Sequence, residues 1–180
     1  MPPHVRAATG RPEPGEYAAY AQADFDAVPG DDAIAALEHA RDATLALFAP
    51  LDEVAIRGLR YPPRKWTVKE VLGHLIADER IYAFRALSVA RGDAGPLPGF
   101  DENAYVTHAR FEERLLADLL AEYRLVRAST LALLHGLPDD AWTRTGLANG
   151  YPASARGLAF HIAAHELHHL RVLRERYLHG

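Results

Sequence analysis

Apolar residues recur at helical spacing along four long stretches of the chain, and each stretch has recognisable ends. The first runs from about Asp31, read as an N-cap, to Phe48, with Ile34, Leu37, Thr44, Leu47, Phe48 and Leu51 on one stripe. Gly58-Leu-Arg-Tyr-Pro-Pro breaks the pattern, because proline cannot continue a helix. The second stretch starts at Thr67-Val-Lys-Glu70, a capping box in which hydroxyl and carboxylate satisfy free amides reciprocally, and runs to about Arg91. A long loop follows, from Gly92 through Pro-Leu-Pro-Gly99 to Asn103. The third stretch extends from about Ala109 to His135, with Leu116, Leu119, Leu120, Tyr123, Val126, Thr130 and Leu134 inward, and Gly136-Leu-Pro138 stops it. The fourth runs from Ser154, a candidate N-cap, to about Tyr177. Strand-like alternation is nearly absent, so the pattern predicts an all-α four-helix bundle.

Composition narrows the setting. A chain of 180 residues with 49% hydrophobic content suits one domain with a sizeable core. Residues 1–16, rich in proline and glycine, read as a flexible or loosely docked N-terminal arm, and residues 17–180 as a single domain. The net charge is −4, and the arginines that dominate the basic residues are scattered, which argues against a nucleic-acid partner. The absence of cysteine excludes disulfides, thiolate ligands and a cysteine nucleophile. The N-terminal residues carry no apolar signal core, and no apolar run is long enough to span a membrane, so a cytoplasmic protein without a membrane partner is expected.

Candidate chemistry lies in the histidines. Four of the ten fall in His161-Ile-Ala-Ala-His165-Glu-Leu-His168-His169. Residues four apart stack on one helix face, so either His161/His165 or His165/His169 can bring two imidazoles to one metal ion. His165 and His169 continue the inward stripe of Leu158, Ile162 and Val172, where unpartnered imidazoles would be costly to bury. His74, beside the inward stripe of the second helix, supplies a third nitrogen ligand, and Asp78 lies one turn on. Three neutral imidazoles suit a divalent zinc, nickel or iron ion and leave a position open for substrate. Helix position places His168 at the rim, and His4, His39, His108, His135 and His179 read as surface residues. His165-Glu166-Leu-His168-His169 also fits the zinc-protease pattern H-E-x-x-H, but Val172 and Glu175 stand where its extended form requires glycine and histidine. Asp78 and Glu166 remain candidates for orienting a ligand or acting as a base.

Three separated blocks, Trp66-Thr-Val-Lys-Glu-Val-Leu-Gly-His74-Leu, Gly99-Phe-Asp-Glu-Asn-Ala-Tyr105 and His165-Glu-Leu-His-His169-Leu, resemble the DinB-like (YfiT-like) family over roughly residues 31–178. The resemblance implies an up-down-down-up four-helix bundle, often a homodimer, with one divalent metal ion on His74, His165 and His169. Relatives include metal-dependent hydrolases and transferases that use low-molecular-weight thiols such as bacillithiol or mycothiol. The resemblance thus implies an enzyme acting on small molecules, as hydrolase or thiol S-transferase, or else a non-catalytic metal-binding stress-response module. Fold likeness alone fixes no substrate. The loop ending at Asp101 and Asn103 is expected to border the site and contact substrate. Arg80 and Arg85 are further candidates for a substrate carboxylate, against ordinary pairing with acidic neighbours.

Overall fold

The computed structural model describes residues 9–61, 65–93 and 95–178. Four long helices carry the fold: α2 (Ala33–Phe48), α3 (Val68–Ala90), α5 (Leu116–His135) and α6 (Ala155–Arg176), with short helices α1 (Gln22–Asp26) and α4 (Glu102–Ala109). The helix α2 packs on α5 and α6, and α3 packs on the same two. No helix among the described residues is long and apolar enough to cross a membrane.

Local chemistry explains most helix starts. The cap of α2 is Asp32 rather than Asp31; its carboxylate accepts from the Ile34 and Ala35 amides. Thr67 and Glu70 form the expected capping box at the start of α3, and Ser154 Oγ accepts from the Gly157 amide at the start of α6. The four orphan amides at a helix start need such acceptors. The expected third helix starts later than about Ala109, at Leu116, and residues 102–109 before it form the separate helix α4. Arg110 adopts a left-handed conformation at φ 50°, ending α4, and a single 3-10 turn over 111–113 precedes α5. No proline or glycine marks this break. Its cause is tertiary: the Phe111 ring seats against Gly73, where an added Cβ would come within 2.2 Å of it. Glu112 also ties the turn to α3 by accepting from Thr67 Oγ1 at 2.6 Å.

The chain is not wholly helical. A small three-stranded sheet joins β1 (Pro96–Leu97), β2 (Thr145–Ala148) and β3 (Tyr151–Ser154), with β1 parallel and β3 antiparallel to β2. Asn149 and Gly150, at φ 53° and 80°, make the two-residue turn between β2 and β3. Such a turn needs positive φ at both positions, which Asn-Gly tolerates. Residues 9–16 of the expected loose arm are held in place. Arg11 donates to the Val28 and Gly30 carbonyls, and Glu16 pairs with Arg156 at 2.6 Å. Residues 1–8 of that arm lie outside the described residues.

Two apolar clusters fill the bundle, one around Leu37, Ala86, Leu134 and Phe160, the other around Phe48, Leu72, Leu119 and Leu170. Between them each helix places polar residues at the same level: Thr44 on α2, Asp78 and Glu79 on α3, Tyr123 and Arg127 on α5, and His165 and Glu166 on α6. This layer positions the site.

Candidate metal centre

Successive residues on a helix point about 100° apart, and the polar layer uses that offset on two helices at once. Glu79 and Glu166 turn inward to Arg127, while Asp78 and His165 turn away from it and toward each other. Arg127 is bidentate to Glu79, at 2.9 Å for both Nε and Nη2, and also donates to Glu166 and to the Leu37 carbonyl. Thr44 and Tyr123 hydroxyls donate to the other oxygen of Glu166. Burial and the adjacent Glu166 raise the Tyr123 hydroxyl's pKa, so it stays a donor. Glu166 was a candidate base in sequence, but its carboxylate is fully engaged by these partners and is 2% exposed. These bonds tie α6 to α2 and α5.

On the other side, three imidazoles converge. His165 Nε2 lies 3.1 Å from His74 Nε2 and 3.0 Å from His169 Nε2. Asp78 Oδ2 lies 3.2 Å from His165 Nδ1 and 4.0 Å from His161 Nε2, yet is buried without a well-aligned hydrogen bond. His161 therefore stands outside the first trio and forms a second grouping with Asp78 and His165. It stacks on Tyr82 at 3.8 Å between ring centres.

The electrostatics follow from burial. Burial lowers His74 to about 4 and His169 to about 2, and the neighbouring His165 adds to both shifts. Burial likewise lowers His161 to about 4 against the pull of Asp78. At His165 burial also acts downward, but the charge and proximity of Asp78 outweigh it, and its pKa is raised. Asp78 is lowered to about 2: burial acts to raise it, and His165, His161 and His74 together overcome that. Three imidazole Nε2 atoms thus face one another, with the Asp78 carboxylate behind the His165 ring. A tetrahedral zinc ion with Zn–N bonds near 2.0–2.1 Å separates its nitrogens by about 3.3–3.4 Å, close to the spacing found. The residues fit a divalent cation.

The histidine cluster lies between two cavities. The larger, about 680 Å³, is lined by Trp66, His168, His169, Glu102, Asn103, Arg171, Arg176 and Tyr177 among others. The smaller, about 110 Å³, is lined by Tyr20, Asp24, Tyr82, Glu102, His161 and His165 among others. Glu102, in the first turn of α4, borders both. Sequence reasoning pointed to its neighbours instead. Asn103 does line the larger cavity, but Asp101 caps α4 by accepting from the Ala104 amide at 3.0 Å, so its side chain is spent on the helix start. Trp66 was also missed as a site residue. Its ring centre lies 4.5 Å from that of His74 and 6.3 Å from that of His169, walling the cluster on its apolar side. Its sequence signals were its place just before the capping box and at the head of the block that carries His74.

The remaining candidates lie elsewhere. Arg80 pairs with Glu122 at 2.5 Å. Arg85 is buried against Tyr82 and donates to the Pro98 carbonyl at 2.6 Å, holding the loop before α4. His168 sits at the rim, 2.8 Å from Asp24 Oδ1. His39, His108 and His135 are exposed, and His4 and His179 lie outside the described residues.

The sequence pattern of the DinB superfamily matches residues 36–173, a span holding all three converging histidines. The chain belongs to the DinB superfamily. Among solved structures, this DinB protein is similar to YfiT from Bacillus subtilis, described as a probable metal-dependent hydrolase with an unusual four-helix bundle topology. The two share 18% identity at a TM-score of 0.70, with 89% of each chain covered. That likeness establishes the bundle fold. No curated protein matches the chain significantly.

Proposed function

We infer that this DinB protein is a metal-dependent hydrolase of small molecules, with one divalent ion on His74, His165 and His169. The observation that carries the reading is the convergence of three Nε2 atoms, two of them within 3.1 Å of the third, beside a large cavity. When bound, the ion would supply Lewis acidity and lower the pKa of a water molecule reaching it. The protein's own residues do the rest. Asp78 holds His165 with its Nε2 lone pair toward the centre, as carboxylates behind ligating imidazoles do. Trp66 excludes water from one flank. Glu102, shared by both cavities, is the carboxylate placed to take a proton from the attacking group. The chain has no cysteine, so in the alternative S-transfer reaction the thiol would enter as a second substrate. We also read the helix directions as up-down-down-up, supported by Lys69 and Glu79 meeting Arg114 and Arg127 in the same order, and Trp66 and His74 meeting Tyr177 and His165 in reverse order.

The test is a panel of small esters, amides and lactams, assayed with metal-loaded and chelator-stripped protein. Hydrolysis that disappears on stripping and returns with metal supports the reading. Metal-dependent stability with no turnover across the panel would make the ion a structural staple instead.

A further inference from the structure

The larger cavity has two chemically different ends. Its inner end is His169 with the Trp66 ring beside it. Its outer end is cationic and aromatic. Arg176 stacks over the Tyr61 ring, 5.3 Å from its centre, and donates to the Tyr61 hydroxyl at 3.2 Å. Tyr177 packs 6.1 Å from Tyr61 and donates to the Trp66 carbonyl at 3.0 Å, joining the outer end to the inner wall. Lys65 lines the same cavity and is the chain neighbour of Trp66, whose carbonyl Tyr177 bonds. Three cations on the walls, Lys65, Arg171 and Arg176, outnumber the carboxylates Glu102 and Glu175. Arg171 leans toward Asp24 at 3.9 Å, but neither Lys65 nor Arg176 pairs with a carboxylate among the described residues. An arginine held over a tyrosine ring and bonded to its hydroxyl is pre-oriented, so less freedom is lost when it takes an anion. The volume of about 680 Å³ falls within the range that encloses small organic ligands.

We propose that the outer end of this cavity is an anion subsite, in which Lys65 and Arg176 bind the carboxylate or comparable anionic group of a substrate whose flat apolar body lies along Trp66, Tyr61 and Tyr177. The bound molecule presents its opposite end to His169. This assigns a substrate class, amphiphilic small-molecule anions, to the hydrolytic site and rests on that functional reading for its biological meaning. Binding itself can be measured without turnover.

Two fluorescent probes of nearly the same shape serve: anilinonaphthalene sulfonate, an anion, and the uncharged phenylnaphthylamine. The wild-type protein should bind the sulfonate about tenfold more tightly than the amine, the scale of one charge-assisted contact. Added salt should erode that preference. Replacing Lys65→Gln and Arg176→Gln together should weaken sulfonate binding about tenfold and leave amine affinity and metal content unchanged. Unaltered sulfonate affinity in this double variant, or equal weakening of both probes, overturns the subsite. The His165→Ala variant separates the two claims. It should lose metal while keeping the preference for the sulfonate. A wild-type protein that binds no metal yet shows the preference would sink the hydrolase reading and leave the subsite standing.

Discussion

Asp78 Oδ2 lies 3.2 Å from His165 Nδ1, while Nε2 of the same ring faces His74 and His169. Both nitrogens of one imidazole are thereby committed, one to a buried carboxylate and one to the cluster. Asp78→Asn removes the charge that fixes the ring and its tautomer. Affinity for zinc should fall about 10–100-fold, the usual consequence of losing such a partner. A competition titration against a coloured chelator measures it. Undiminished affinity would show that Asp78 is dispensable to the centre.

Behind the site, Arg127 holds Glu79 and Glu166 in a fully buried layer. Arg127→Met leaves two carboxylates desolvated without their cation. The metal-free protein should lose about 3–5 kcal/mol of stability, read from the urea midpoint and slope. Arg127→Lys keeps the charge but not the bidentate fork, and should fall between wild type and the methionine variant.

How far sequence reached depended on whether each element was set locally. The Thr67 and Ser154 caps and the helix faces carrying His74, His165 and His169 follow from short-range chemistry, and they were legible. The break at Arg110 was not, because it arises from Phe111 seating on Gly73, 38 residues earlier in the chain. The hairpin carried its signal in Asn149-Gly150, but Thr145-Gly-Leu-Ala is too short and too weakly alternating to announce a strand. Glu166 misled because its motif match was real while its direction, one residue past His165, belongs to the buried layer. The division of labour between Asp78 and Glu79 needs the positions of α5 and α6, which no local pattern supplies.

Acid should destabilise the metal-free protein. His74 and His161 are lowered to about 4 and His169 to about 2, from 6.5 in the unfolded chain. Between those values the unfolded chain binds more protons, so stability falls as pH drops below about 6.5 toward 4. His165 has the opposite sign: its raised pKa stabilises below 6.5, and that contribution fades as pH rises through the folded value. Asp78 adds a further loss as pH falls from 3.8 toward about 2. Three lowered imidazoles outweigh one raised, so Tm should decline from pH 7 to pH 5. A flat Tm profile over that interval would contradict the burial of these rings. With metal bound the decline should steepen, because protons compete for the same nitrogens.

Gly73 seats Phe111, and through it the α4 helix that carries Glu102. Gly73→Ala drives a methyl into the ring, with a Cβ at 2.2 Å from Phe111. Overpacking of this kind costs about 1–3 kcal/mol, measurable by urea unfolding. The companion variant Phe111→Ala relieves the clash, so the pair should be non-additive in a double-mutant cycle. Additive losses would mean that Phe111 does not respond to residue 73.

The central claim is that three histidines from α3 and α6 hold one metal ion. Elemental analysis of untagged protein, purified without chelator, tests it most directly, alongside His165→Ala and the surface variant His135→Ala. The account predicts about one divalent ion per wild-type and His135→Ala chain, and little in His165→Ala, since two remaining ligands seldom hold an open site. Wild-type protein without metal that also fails to take up zinc on addition, or full stoichiometry retained in His165→Ala, would contradict it.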